Sequence, residues 1–181
     1  MHAPVTLVPA RQDTAPVAVP APAGPGLQVW GAHGGAGATT LAVLLSPARD
    51  MGTLRPEADY RYPPPDPAGN PVLVACRCTT WSALKAQAAV TALTRAGGQV
   101  RVLAVVSDGW PEPPIATAWF RLLSAQVGAI IRIPFLPRLR LCNDPALVPL
   151  PRTARHAVTM IRSLTSGGGR DAATARGTDR A

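Results

Sequence analysis

Apolar residues along this chain fall into short runs separated by stretches of helical period, and that alternation predicts the elements. Leu27-Gln28-Val29-Trp30 is an apolar run that leads, through a glycine-rich stretch, into Leu41-Ala42-Val43-Leu44-Leu45, which reads as strand, turn and helix start. The helix begins at about Gly37 or Ala38, carries Leu41, Leu44 and Leu45 on one face, and is halted near Ser46-Pro47. Pro71-Val72-Leu73-Val74-Ala75-Cys76 is a continuous apolar run, which suits a strand buried on both faces. Thr79 or Thr80 then offers an N-cap for a helix with Ala86, Ala89, Val90 and Leu93 at i, i+3, i+4 and i+7, closed by Gly97-Gly98. Val100 to Val106 is the next strand and ends in Ser107-Asp108-Gly109, and a helix with Ile115, Ala118, Trp119 and Leu122 on one face follows. Ile130-Ile131-Arg132-Ile133 makes a further strand stopped by Pro134, and the last helix has Pro151 near its first turn with Ala154, Ala157, Val158 and Ile161 as its apolar stripe.

Strands alternating with helices predict an α/β fold: a reduced doubly wound, mostly parallel sheet of about four strands with helices on both faces. The expected organisation is a Pro/Ala-rich disordered arm over 1–25, an α/β domain over 26–165 with a Pro-rich insertion at about 47–71, and a disordered tail over 166–181. No strand pattern of useful length shows between Pro47 and Pro71. The arm reads as a linker, or as a docking peptide.

Composition refines this picture. A chain of 181 residues holds one domain with a real core, but its 21 prolines and 16 glycines concentrate in segments that cannot pack, so the core is shorter than the chain. The formal charge is +8, which raises nucleic acid or an anionic membrane surface as partners. Lys85 is the single lysine, so the charge also reads as arginine favoured by GC-rich coding. Arg121, Arg132, Arg138, Arg140, Arg152, Arg155 and Arg162 face only Asp144 in the stretch they span, which keeps DNA among the candidate partners. Cys76, Cys78 and Cys142 are an odd number without a secretory signal, so a disulfide framework is not expected and the thiols read as reduced. No run reaches membrane-spanning length, and a cytoplasmic location is expected.

The candidate chemistry sits in Gly31-Ala32-His33-Gly34-Gly35-Ala36-Gly37-Ala38-Thr39-Thr40. Closely spaced glycines let successive backbone N–H groups turn inward where a helix begins, an arrangement suited to anions. Against the P-loop pattern of glycine, four residues, glycine, lysine and Ser/Thr, Gly37 and Thr39 match, while Ala32 replaces the first glycine and Ala38 the lysine. The run His33 to Thr40 resembles the loop of ParA/MinD-type proteins, Lys-Gly-Gly-Val-Gly-Lys-Thr-Thr, at Gly34, Gly35, Gly37, Thr39 and Thr40. Both family lysines are lost, to His33 and Ala38. Val72 to Thr80 is similar to a valine-rich strand of that family, and Ile131-Arg132-Ile133-Pro134-Phe135 to its late Ile-Pro turn, whose backbone in active members lies beside the adenine.

The resemblance implies a cofactor site of Gly34, Gly35, Gly37, Ala38, Thr39 and Thr40 for ATP, with Thr39 as the magnesium ligand; with both lysines lost, the expectation is that ATP and magnesium bind weakly or not at all. It implies no catalytic residue, because the family's aspartate-bearing strands have no counterpart between Pro47 and Pro71. Processes served by intact members are DNA segregation, mobile-element maintenance and membrane-associated positioning. A non-catalytic regulatory module with a protein partner is the leading expectation, a homodimer being compatible with it. A weak ATP-binding switch that borrows a partner's arginine and an arginine-rich DNA-binding adaptor are the rivals. His33 could supply a cation in the loop or be a neutral turn residue, Asp108 could hold a metal with Thr39 or make an Asp-Gly turn, and His156 reads as surface or boundary packing.

Overall fold

In the computed structural model, residues 26–54 and 69–166 are described. The expected arm over 1–25, most of the Pro-rich insertion and nearly all of the tail lie outside them. The elements in chain order are β1 (Leu27–Gly31), α1 (Ala38–Leu44), β2 (Ala48–Thr53), β3 (Val72–Arg77), α2 (Thr80–Arg95), β4 (Val100–Val106), α3 (Pro114–Leu123), β5 (Ala129–Ile133) and α4 (Arg152–Ser166). Two short 3-10 turns, Pro137–Arg140 and Pro145–Leu147, lie between β5 and α4.

The five strands form one sheet in the order β2-β1-β3-β4-β5. Every pairing is parallel, from Leu27 beside Ala48 at one edge to Val106 beside Ile133 at the other. The fold is α/β with helices on both faces, because alternate side chains of the central strands feed two separate cores. Val72, Val74 and Cys76 pack with Ala86, Val90 and Leu93 of α2 and with Phe120 and Leu123 of α3. Leu73, Ala75, Val102 and Ala104 pack on the opposite face with Leu41 and Ala42 of α1 and with Ala157, Val158 and Ile161 of α4. Such double burial is what an all-parallel sheet requires.

The sheet has one strand more than the sequence pattern predicts. β2 lies in the stretch expected to hold none and carries Asp50, so the expectation that no aspartate-bearing strand lies between Pro47 and Pro71 does not hold; its residues Ala48-Arg49-Asp50-Met51-Gly52-Thr53 carry two charges and a glycine without alternation. It is an edge strand, hydrogen-bonded only to β1, with three residues half-buried and three exposed, and edges tolerate charged side chains that a central strand could not bury. A second difference is the phase of α3. Ala116, Phe120 and Leu123 are buried, whereas Ile115 and Leu122, expected inside, are 62% and 65% exposed. The helix reads PIATAWFRLL and is apolar nearly all round, so spacing alone does not choose the face. Phe120, the largest fully buried side chain, decides it.

After β1 the chain moves outward to β2 and then returns to the other side of β1 to lay down β3. The winding therefore reverses between β1 and β3, and in open sheets the crevice outside the carboxyl ends of the strands at that reversal is where ligands bind. The glycine-rich stretch occupies this position.

Candidate functional site

Ala32 N–H donates to Ala75 O at 2.9 Å and so extends the β1–β3 ladder by one bond past the strand. The chain then turns sharply, with Ala36 N–H donating to His33 O at 3.2 Å. Gly35 and Gly37 have φ of +77° and +91°, a region costly for residues with a Cβ. Gly37 is the N-cap of α1, with no side-chain cap, and its carbonyl accepts from Leu41 N–H at 2.9 Å. Strand, glycine turn and helix thus follow the predicted order.

Side chains in the loop carry little polar chemistry. Ala38 is buried, Thr39 is exposed and Thr40 is half-buried; Gly34 and Gly35 are exposed. His33 is only 9% exposed. Its Nδ1 donates to Gly34 O at 2.8 Å, its ring lies 4.9 Å from that of Trp81 at a 58° tilt, and its Nε2 is buried with no hydrogen-bond partner among the described residues. The imidazole is packed beneath the loop against α2. Lys85 Nζ sits 5.5 Å above the Trp81 ring on the same helix.

Arg77, at the carboxyl end of β3, fastens the loop from the neighbouring strand by donating from Nε to Gly35 O at 3.0 Å. Sequence reasoning gives this arginine no role, since the partners are 42 residues apart; its place at the end of a fully apolar strand is the one available signal. Asp108 closes its own turn. Its Oδ1 accepts from Trp110 N–H at 3.1 Å and from Cys78 Sγ at 3.4 Å, and Gly109 follows at φ +100°. The Trp110 amide, with a smaller contribution from Cys78, holds the Asp108 carboxyl below its usual range. Burial pushes the Cys78 thiol up and, with Cys78 beside it, drives that of Cys76 up to about 12. Among the described residues no group of three or more His, Cys, Asp or Glu is placed to hold a metal.

Against the end of the loop, the same edge of the sheet carries a cavity of about 160 Å³ between α1, the end of β4 and the segment after β5. Gly37, Thr40, Leu41 and Leu44 line one side, Val106 and Ser107 the floor, and Ile133 to Leu136 with Leu139 the other side. Arg77 and Arg140 are its two charged lining residues, and the Arg140 guanidinium carbon stands 4.9 Å from the centre of the Phe135 ring.

The arginine-rich stretch is not uniform. Arg132 makes a two-pronged pair with Glu112, Nε to Oε2 at 2.9 Å and Nη2 to Oε1 at 2.8 Å, and Thr117 Oγ1 donates to the same carboxylate at 2.7 Å. Arg132 first, with Thr117 helping, holds the Glu112 carboxyl below its ordinary range. Arg162 Nη2 donates to Leu44 O at 3.0 Å, capping the carboxyl end of α1, where a cation also suits the helix dipole. Arg121, Arg138, Arg140, Arg152 and Arg155 are exposed, as is His156.

Comparison of the chain with protein-family models, with curated proteins and with solved structures gives no match. No helix among the described residues is long and apolar enough to cross a membrane.

Proposed function

We propose that this chain is a non-catalytic, ParA/MinD-like P-loop module that acts in the cytoplasm as a binding or regulatory component, its loop retaining the outline of a phosphate cradle without the means to transfer phosphate. The observation that carries this reading is the buried methyl of Ala38 at the lysine position, next to a loop whose one basic side chain, His33, is turned under against Trp81. Phosphoryl transfer depends on charge placed around the developing transition state, and loss of a single preorganised donor typically lowers a rate by about 10²- to 10³-fold. The backbone amides, Thr39 and the neighbouring Arg77, whose Nε is already spent on Gly35 O, are what remains at the loop. Resemblance to intact ParA/MinD members suggests DNA segregation or mobile-element maintenance as the process, with a protein partner.

The test is the Ala38→Lys variant beside the wild type, followed by phosphate release and ATP affinity at one salt concentration. A lysine grips ground state and transition state alike, so affinity rises while turnover stays absent. Turnover near about 1 per second in the variant would reveal working carboxylates, with Asp108 the first suspect, and would make the protein a divergent ATPase.

A second reading, an arginine-rich DNA-binding adaptor, is favoured by the exposed Arg121, Arg138, Arg140, Arg152 and Arg155. Duplex affinity should then fall with salt at a log–log slope of about −0.9 per phosphate contacted. No binding to long duplex at low salt removes this reading.

A further inference from the structure

The cavity beside the loop is chemically unlike the loop itself. Its walls are aliphatic and aromatic, and several of them, Leu44, Phe135, Leu136 and Leu139 among them, are only half-buried. Apolar surface gathered around a concavity in this way gains from being covered. The charge on its lining has one sign. Arg77 and Arg140 contribute two guanidiniums and no carboxylate lines the space. Arg77 spends its Nε on Gly35 O and its charge also acts on Asp108, whose carboxylate lies outside the lining, but its two terminal nitrogens have no hydrogen bond among the described residues. Arg140 is held over Phe135 and likewise makes no hydrogen bond among them. Guanidiniums carry donors in a planar fork that matches a carboxylate.

Volume narrows the choice of ligand. A cavity of about 150 Å³ accommodates benzene, so 160 Å³ accepts a single ring, and a purine nucleoside would project out of it. We propose that this cavity is a binding site for a small organic anion, a carboxylate on a one-ring or short branched apolar body, with the body against Leu41, Leu44 and Leu139 and the carboxylate paired with Arg140 and Arg77. The proposal rests on the reading above only in that the neighbouring loop holds no nucleotide across the cavity mouth.

Benzoate is the probe, with benzamide and benzylamine as neutral and cationic matches in size, each titrated into the full chain and followed by amide shifts in a ¹⁵N correlation spectrum. The expected result is a benzoate dissociation constant of about 0.1–1 mM, with shifts centred on Thr40, Ser107 and Leu139, and affinities for benzamide and benzylamine at least about tenfold weaker. Arg140→Met keeps an apolar stem over Phe135 at an exposed position and should weaken benzoate by about tenfold while leaving the rest of the spectrum in place. Absence of benzoate shifts at these residues, equal binding of all three compounds, or an unchanged affinity in Arg140→Met each overturns the proposal. Tight Mg-ATP binding would instead overturn the non-catalytic reading, whatever benzoate does, so the two failures are distinguishable.

Discussion

Two corners of the same sheet edge are built by opposite means. At the β1 corner the backbone does the shaping: Gly35 and Gly37 sit at positive φ, a single turn bond closes His33 to Ala36, and the side chains are methyls, a buried ring and two threonines. Near β5 the side chains do it, through the Glu112, Arg132 and Thr117 cluster and the Arg140 guanidinium over Phe135. The glycine turn therefore carries no charged side chain of its own and takes its nearest one from Arg77 of β3, while the cavity it shares with the segment after β5 adds Arg140. The outline of a loop and its chemistry are separable properties, and the groups that face the crevice decide what it binds.

The contrast can be broken at each corner. The larger effect is expected at Gly37, where a Cβ would meet only an ordinary contact, Val106 Cγ2 at 3.7 Å, yet the backbone φ is +91°. Gly37→Val is expected to cost about 2 kcal/mol from backbone strain, measured by urea unfolding and unchanged between low and high salt. A neutral result would mean that the loop relaxes freely and that its shape is not fixed by the glycine.

A smaller effect is expected at Glu112. The pair with Arg132 is partly exposed, with side-chain exposures of 17% for Glu112 and 55% for Arg132, so solvent screening limits Glu112→Gln to about 0.5–1 kcal/mol, shrinking further with added salt. Because the folded carboxyl is held below its usual range, its contribution is complete above the ordinary glutamate range and is lost as pH falls through the folded value. Wild type and variant should therefore differ at pH 7 and converge in acid. A gap that persists at low pH would assign the effect to packing around Thr117 instead.

How far the sequence reveals this arrangement depends on whether a feature is local. β3, α2, β4 and α4 are legible because burial imposes its period directly: Ala86, Ala89, Val90 and Leu93 are all fully buried, and Thr79 caps α2 by accepting from Ser82 N–H. β2 is not legible, since an edge strand is specified by its neighbour β1 and not by its own pattern. The face of α3 is not legible either, because Trp119 and Phe120 compete in adjacent phases. In the site, the order of strand, glycine turn and helix can be read from Leu27 to Leu45, but the inward tuck of His33 depends on Trp81, and the cavity joins Thr40 to Leu139 across most of the fold. Arg77 and Arg140 acquire meaning only once those segments meet.

The central claim, that the Gly34 to Thr40 loop keeps a phosphate-binding outline without binding nucleotide in a functional range, is tested most directly by calorimetric titration of the full chain with Mg-ATP. The account predicts a dissociation constant of about 1 mM or weaker, equivalent to roughly 4 kcal/mol or less of binding free energy; a micromolar value would contradict it.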